Sequence, residues 1–130
     1  MAEPFIFIGT HRVKPGKLED FKDYFAKFCS NTVEPNEPRL LSFQGYGDDS
    51  DQITVVQVHP DSDSMLTHLS VIGEHVEAAF TEYLEPESSY QIYGVPRGGI
   101  VAMVEQLSAD RHVALTVKEP FTGFQHLPDT

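Results

Sequence analysis

The order of strand and helix patterns constrains this fold more than any other feature of the sequence. Four segments rich in β-forming apolar residues predict strands, over 5–13, 39–46, 52–59 and 88–95. Three segments with apolar residues three or four apart predict helices, over 17–33, 63–71 and 74–84. The order is strand–helix–strand, twice, with the second and third predicted helices together filling the second helical place. We therefore predict an α+β fold of the ferredoxin-like split βαβ type, with a four-stranded antiparallel sheet and the helices on one face.

Short polar or proline-containing segments predict where these elements end. Segment 34–38 (EPNEP) is predicted to stop the first helix, and Glu-Pro at 85–86 the last one. Residues 47–51 (GDDSD) predict a tight turn between the second and third strands. Gly73 is expected to interrupt the helical pattern between the second and third helices.

The composition indicates one acidic domain. The chain has 130 residues, a formal net charge of −11, one cysteine and no tryptophan. Basic residues are too few for a positive surface, which argues against partners such as nucleic acid or anionic lipid. One cysteine cannot form an internal disulfide or a cysteine-rich zinc site, and no metal site is expected. No apolar run approaches the roughly 20 residues of a membrane span. We therefore expect a cytoplasmic protein with no membrane partner.

The Pro-Arg-Gly-Gly segment at 96–99 predicts a boundary between two parts of the chain. Residues 1–95 form the predicted ferredoxin-like domain, and 96–130 form a C-terminal extension. Within the extension we predict a helix over 100–107, an extended segment over 112–117 and irregular chain from 120 onward. The extension packs either on the core, where its helix would cover a cavity, or on a partner subunit.

The strands predict two differently composed faces of the sheet. One face is nearly all apolar and is expected to lie under the helices: Ile6, Ile8, Leu41, Phe43, Val56, Val58, Tyr90 and Ile92. The other mixes large apolar with polar side chains: Phe5, Phe7, His11, Ser42, Gln44, Tyr46, Val55, Gln57, His59, Gln91 and Tyr93. A solvated face would carry more charge. We therefore expect this second face to be covered and to enclose a polar-lined cavity; the alternative is a wet face without a ligand.

Three segments carry a resemblance to a known family. RVKPGKLEDFKDYF at 12–25, the DDSD turn, and ITVVQVHPDSDSMLTHL at 53–69 resemble the antibiotic biosynthesis monooxygenase (ABM) family. The resemblance covers about 5–95, and His68-Leu69 occupies the place of the family's helical histidine. It implies a dimeric α/β barrel, hence a homodimer, with a cavity for a small aromatic molecule between sheet and helices. ABM-like proteins oxidise aromatic phenols or quinols with dioxygen and use no metal or organic cofactor.

One position departs from that pattern. The family usually has an aromatic residue, most often tryptophan, at the end of the third strand, and this chain has His59 there. It also has Gln57 where glutamate is frequent. Haem-degrading relatives use the tryptophan to distort haem, so the change weakens a haem-oxygenase interpretation. It implies a quinol pocket of altered shape and polarity.

Cofactor-free oxygenation needs a base, because a neutral aromatic reacts sluggishly with dioxygen and its anion donates an electron more readily. Histidine suits this role because its ordinary pKa lies near 6.5. The catalytic candidates are His68, from the resemblance, and His59, at the end of the third strand. Either could instead be structural, as a packed helix residue or a strand-end histidine bonded to backbone. His75 is the candidate axial ligand if haem binds, which is the alternative cofactor.

Polar and apolar side chains of the predicted cavity face are candidates for substrate binding: His11, Gln44, Tyr46, Gln57, Gln91, Tyr93, Phe7 and Leu66. Inter-strand hydrogen bonding and plain core packing are the structural alternatives. Arg12 and Arg39 could stabilise an oxyanion or form surface salt bridges. The leading function is a cofactor-independent monooxygenase on a phenol, quinol or polyketide-like substrate. The alternatives are a haem-binding or haem-degrading relative and a non-catalytic, small-molecule-binding or stress-response dimeric barrel.

Overall fold

A computed structural model describes residues 3–109 and 111–127 of the chain. Its strands are β1 Phe5–Val13, β2 Ser42–Gly47, β3 Gln52–His59, β4 Leu84–Tyr93 and β5 His112–Lys118. Its α-helices are α1 Leu18–Phe28, α2 Glu34–Asn36, α3 Ser62–Ile72, α4 Val76–Glu82 and α5 Ile100–Leu107. A π-helical turn, Cys29–Val33, joins α1 to α2.

The five strands form one mixed sheet in the order β2-β3-β1-β4-β5. The β2–β3, β3–β1 and β1–β4 pairs are antiparallel, as the ferredoxin-like prediction requires. β5 pairs in parallel with β4, so the prediction of a four-stranded antiparallel sheet is wrong. A parallel neighbour needs a crossover connection, and α5 supplies it between β4 and β5.

Several element boundaries differ from the sequence expectation; β2, for example, begins at Ser42 rather than 39. Two of the differences have a clear physical cause. The first helical segment continues through the π-helical turn to Asn36, because Pro35 lies in the first turn of α2, where its missing N–H is not needed. β4 begins at Leu84 rather than 88, because a bulge against β1 accommodates Glu85–Glu87: Leu84 pairs with Val13, whereas Ser88 pairs with His11. Pro86 thus lies where the β1 ladder is interrupted.

The assignment of sheet faces from the sequence is wrong for β1 and β3. Phe5, Phe7, Gln57 and His59 lie under the helices, on the same face as Phe43, Tyr90 and Ile92. The opposite face, called here the open face, carries Ile6, Ile8, Thr10, Ser42, Gln44, Tyr46, Thr54, Val56, Val58, Gln91 and Tyr93. β1 and β3 are apolar at both parities, so alternation could not orient them, and a shift of one residue exchanges the faces.

Two clusters of buried side chains lie between the helical layer and the sheet. One joins Phe5, Phe7, Met65, Leu69, Tyr90, Ile92, Ile100 and Val104, from the sheet, α3 and α5. The other joins Val13, Phe21, Ile53 and Leu84, from the sheet and α1. The helices converge on one face, and the space between the two clusters contains the cavity described below.

The C-terminal extension packs against the core of its own chain. Ile100 and Val104 of α5 are buried in the cluster that α3 and the sheet form, and β5 extends the sheet beside β4. Phe121 and Phe124, beyond β5, are 96% and 88% exposed. The predicted irregular segment reaches into 128–130, which lies outside the described residues. No helix in the described part of the chain is long and apolar enough to span a membrane.

Candidate functional site

A cavity of about 150 Å³ lies between the sheet and the helices. Its wall is largely aromatic and aliphatic, with histidines, Gln57, Ser108 and Arg111 as the polar members. Gly9, in the middle of β1, forms part of this wall. A Cβ atom at Gly9 would lie 3.1 Å from the Tyr90 ring and 3.1 Å from His11 Nε2, so glycine keeps this part of the wall open. An engineered cavity of similar volume binds benzene, so the cavity matches one aromatic ring.

A buried histidine–carboxylate pair forms one part of the site. His68 Nδ1 lies 2.8 Å from Glu37 Oε2 and 3.0 Å from Oε1, and both side chains are 1% exposed. A carboxylate only accepts hydrogen bonds, so Nδ1 carries the proton and donates it. The lone pair of the neutral ring is then on Nε2, at the opposite edge, and the ring contributes to the cavity wall. This is the arrangement of a histidine oriented as a base.

Local structure on both sides positions this pair. Glu37 directly follows α2, and its carbonyl accepts from the Leu40 N–H in a turn. Asp61 caps α3 by accepting from the Ser64 N–H at 3.1 Å, and it also pairs with Arg39 from the segment after Glu37. The Arg39 hydrogen bond is the main reason why the pKa of Asp61 is lowered. The Arg39–Asp61 pair therefore links the segment that carries Glu37 to the start of the helix that carries His68.

His59 lies beside this pair but points its polar atoms into the protein. Its Nε2 lies 3.0 Å from Gln57 Oε1, and its Nδ1 lies 2.7 Å from Ser64 Oγ. Burial lowers the pKa of His59 to about 3, with a further lowering from His68. The ring is therefore neutral near pH 7, donating from Nε2 and accepting at Nδ1. With both nitrogens engaged, His59 serves as a structural neighbour of His68, whose ring centroid is 5.9 Å away.

A second polar cluster lies over β4. His11 Nδ1 is 2.8 Å from Ser88 Oγ, and burial, together with the charge of Arg111, lowers the pKa of His11 to about 4. The Arg111 guanidinium carbon lies 3.8 Å from the centre of the Phe80 ring, a cation–π contact. Burial raises the pKa of the Tyr90 hydroxyl, although Arg111 and Ser108 lie close enough to oppose that rise.

His75, the candidate axial ligand for haem, lies in the cavity wall. Its side chain is 37% exposed and packs 5.2 Å from Phe28 between ring centroids. The cavity volume matches one aromatic ring, whereas a porphyrin contains four pyrroles. Among the described residues, no group of three or more His, Cys, Asp or Glu side chains could hold a metal ion.

The structure brings only some of the sequence-predicted site residues together. Five line the cavity: Phe7, His11, Gln57, His68 and His75. Leu66 instead lies against Gly98 of the extension boundary. His59 is also outside the cavity wall, bonded to Gln57 and Ser64. The remaining four candidates lie on the open face: Gln44, Tyr46, Gln91 and Tyr93. The expectation that this face encloses the cavity is wrong. These four residues were expected in the cavity because the sequence analysis matched the wrong alternate residues of β2 and β4 with the inward-facing residues of β1 and β3. The cause is the same as for the wrong assignment of sheet faces.

Sequence reasoning missed Glu37 and Arg111. Glu37 was assigned only to a helix-terminating segment, and it lies 31 residues from His68, a separation with no sequence signature. Arg111 lies in the extension, outside the resemblance. The arginines considered as oxyanion donors lie elsewhere: Arg12 is exposed, and Arg39 pairs with Asp61.

Comparisons by sequence find no counterpart, because no protein-family model and no curated protein matches the chain. Comparisons by structure find similar proteins. MupZ from Pseudomonas fluorescens superposes with a TM-score of 0.69 at 22% identity, covering 95% of this chain and 95% of MupZ. The extension is more than a quarter of the chain, so this match includes most of it.

Two further structures relate the fold to the resemblance. A "putative antibiotic biosynthesis monooxygenase" from Caulobacter crescentus matches with a TM-score of 0.61 at 18% identity, covering 70% of this chain and 88% of its own. A protein from Chloroflexus aurantiacus with the same description matches with a TM-score of 0.51 at 22% identity, covering 74% and 95%. At these identities the likeness concerns the fold. The chain therefore shares its fold with these two proteins.

Proposed function

We propose that this chain is a cofactor-independent monooxygenase that uses His68 to deprotonate an aromatic phenol or quinol and exposes the anion to dioxygen. The observation that carries the proposal is the buried His68–Glu37 pair, whose histidine lies in the wall of an apolar cavity. The ABM-like fold supports it as an analogy.

The pair supplies what proton abstraction requires. Glu37 orients the ring and stabilises the positive charge that His68 acquires when it takes a proton at Nε2. Because both side chains are 1% exposed, little water competes for that proton or screens the attraction between them. His59, neutral and engaged at both nitrogens, does not compete as a base.

The reaction balances without a further reactant. The substrate anion transfers one electron to dioxygen, and the resulting radical and superoxide combine at carbon. The peroxide anion takes back the proton that His68 holds and then loses water, which leaves His68 neutral again. For a methylene group flanked by aromatic rings, R₂CH₂ and O₂ give R₂C=O and H₂O, so one oxygen atom enters the product and the other leaves as water. A cavity that matches one ring would hold the reacting ring, while the rest of a polycyclic substrate extends through the opening.

Oxygen consumption with anthrone-type and naphthoquinol-type substrates tests the proposal. We expect wild-type turnover in the presence of a metal chelator, and a loss of about 10²–10⁴-fold in His68→Asn, the range that a general base contributes. His112→Asn, at an exposed position of β5, is the matched control and should keep wild-type activity. Equal rates in wild type and His68→Asn would contradict the proposed role. Ligand binding without oxygen consumption in the wild type would favour a non-catalytic binding protein.

We further propose that the chain forms a homodimer through the open face. Ile6, Ile8, Val56 and Val58 lie side by side on it and are only partly buried in the single chain. Apolar side chains in adjacent strands are a feature of faces that another layer covers. A second copy of the same sheet would supply that layer.

A further inference from the structure

Arg111 presents an unused pair of hydrogen-bond donors inside the protein. Its Nε and Nη2 atoms are buried, and neither has a hydrogen-bond partner within the described residues. Nε and Nη2 lie on one edge of the guanidinium, the edge that binds both oxygens of a carboxylate at once. Ser108 Oγ, three residues earlier, is likewise buried without a hydrogen bond of good geometry, although it and Arg111 both lie beside the Tyr90 hydroxyl.

The chain has 20 acidic residues, yet among the described residues no acidic side chain forms a salt bridge with Arg111. Its neighbours are Phe80, under the plane of the guanidinium, and the Tyr90 hydroxyl. The face of the Phe80 ring holds the guanidinium in place, while the Nε–Nη2 edge of Arg111 stays available for a ligand. Unsatisfied buried donors are rare in folded proteins and destabilising unless something binds them.

Arg111, Ser108 and Tyr90 all line the cavity that His68 lines. His68 packs against Phe43 of β2 and His59 of β3, whereas Arg111 and Ser108 meet Tyr90 of β4. In the sheet order, β1 separates β3 from β4. Two strand spacings amount to roughly 10 Å, a span that fits one ring with a polar substituent between the two clusters.

We propose that Arg111 and Ser108 form a carboxylate-binding subsite, and that the ligand of this cavity carries a carboxylate beside the ring that the cavity holds. The subsite holds the carboxylate at Nε and Nη2 of Arg111 and turns the ring toward His68. The inference rests on the proposed function only in taking this cavity as the substrate cavity, since the binding itself requires no turnover. It places the specificity-determining groups in the C-terminal extension, outside the part that resembles the ABM family.

Binding of benzoate and of benzamide, its neutral counterpart of nearly equal shape, tests the subsite. Either ring matches the cavity volume. We expect wild type to bind benzoate about tenfold more tightly than benzamide, measured by ligand titration with NMR, because charge-assisted hydrogen bonds are stronger than neutral ones. Arg111→Met should lose the preference. Arg97→Met, which removes the same charge from a side chain 60% exposed, should keep it.

Two further comparisons keep the outcomes distinguishable. Arg111→Lys retains the charge without the planar fork, and we expect its preference to fall below that of wild type. His68→Asn should retain the benzoate preference even though the proposed function predicts that it loses turnover. A wild type that binds both probes equally, or an unchanged preference in a folded Arg111→Met protein, would overturn the subsite. The wild-type comparison needs no variant to fold, and a benzoate preference without any oxygen consumption would overturn only the proposed function.

Discussion

The Glu37→Gln substitution isolates the contribution of the buried carboxylate to His68. Glutamine has nearly the same shape, and its Oε1 can still accept the hydrogen bond that His68 Nδ1 now donates to Glu37 over 2.8 Å. The variant therefore keeps the same tautomer of His68, but it lacks the negative charge that stabilises the protonated ring.

The geometry sets the size of the effect. A hydrogen bond to a charged group contributes about 1.5–3 kcal/mol and a neutral one about 0.5–1.5 kcal/mol. The difference, about 1–2 kcal/mol, corresponds to a loss of about 5- to 30-fold in kcat/KM. Because Glu37 is 1% exposed, the new amide N–H group is buried without a carboxylate or carbonyl that already faces it. We expect this to reduce the free energy of unfolding by about 1–3 kcal/mol.

Oxygen consumption and urea unfolding measure these two effects. Glu34→Gln, at an exposed position one turn earlier, is the matched control and should change neither. A Glu37→Gln protein with wild-type kcat/KM, alongside an inactive His68→Asn protein, would refute the reasoning that the carboxylate assists the base. If Glu34→Gln lost as much activity as Glu37→Gln, the loss could not be assigned to the buried His68–Glu37 pair.

Two further predictions concern pH and assembly. The pKa values of His59 and His11 are lowered to about 3 and about 4 by burial. Between those values and the unfolded value near 6.5, only the unfolded chain binds the protons, so the free energy of unfolding falls as pH drops below about 6.5, by up to about 1.4 kcal/mol per pH unit for each ring. Urea unfolding at pH 7 and pH 5 checks this, and a His59→Gln protein with an undiminished pH dependence would contradict it. Light scattering should give twice the 14.6 kDa chain mass for wild type and the monomer mass for Val56→Lys. The variant should be monomeric because a charge at the centre of the open face would be buried unpaired in the dimer. A monomeric wild type would refute a dimer interface on the open face.

Local sequence signals predicted most of the elements, and they failed where tertiary contacts decide. The third strand and the last helix have the predicted bounds, 52–59 and 100–107, because turn signals or glycines flank them. The start of β4 was placed too late, since nothing in the sequence shows that a bulge opposite β1 can accommodate Pro86. The parallel pairing of β5 likewise depends on the crossover that α5 makes, which local patterns do not specify.

The site was predictable only in part, for the same reason. His68 follows from the resemblance, and in the structure it lies in the cavity wall. Glu37 contacts His68 from an inter-element segment, and Arg111 lines the cavity from the extension. No spacing rule relates either residue to His68. The glutamines and tyrosines of β2 and β4 were assigned to the cavity because β1 and β3 are apolar on both faces, so periodicity did not distinguish the inside of the sheet from the outside.

Proton abstraction by His68 is the central claim, and hydrogen–deuterium exchange tests it without dioxygen. Under anaerobic conditions in D₂O, an anthrone-type substrate exchanges its methylene hydrogens whenever a base removes one, and NMR follows the loss of their signal. The account predicts exchange catalysed by wild type, slower exchange with Glu37→Gln, and only the uncatalysed rate with His68→Asn. Exchange at the wild-type rate with His68→Asn, or no catalysed exchange by a wild type that consumes oxygen with the same substrate, would contradict it.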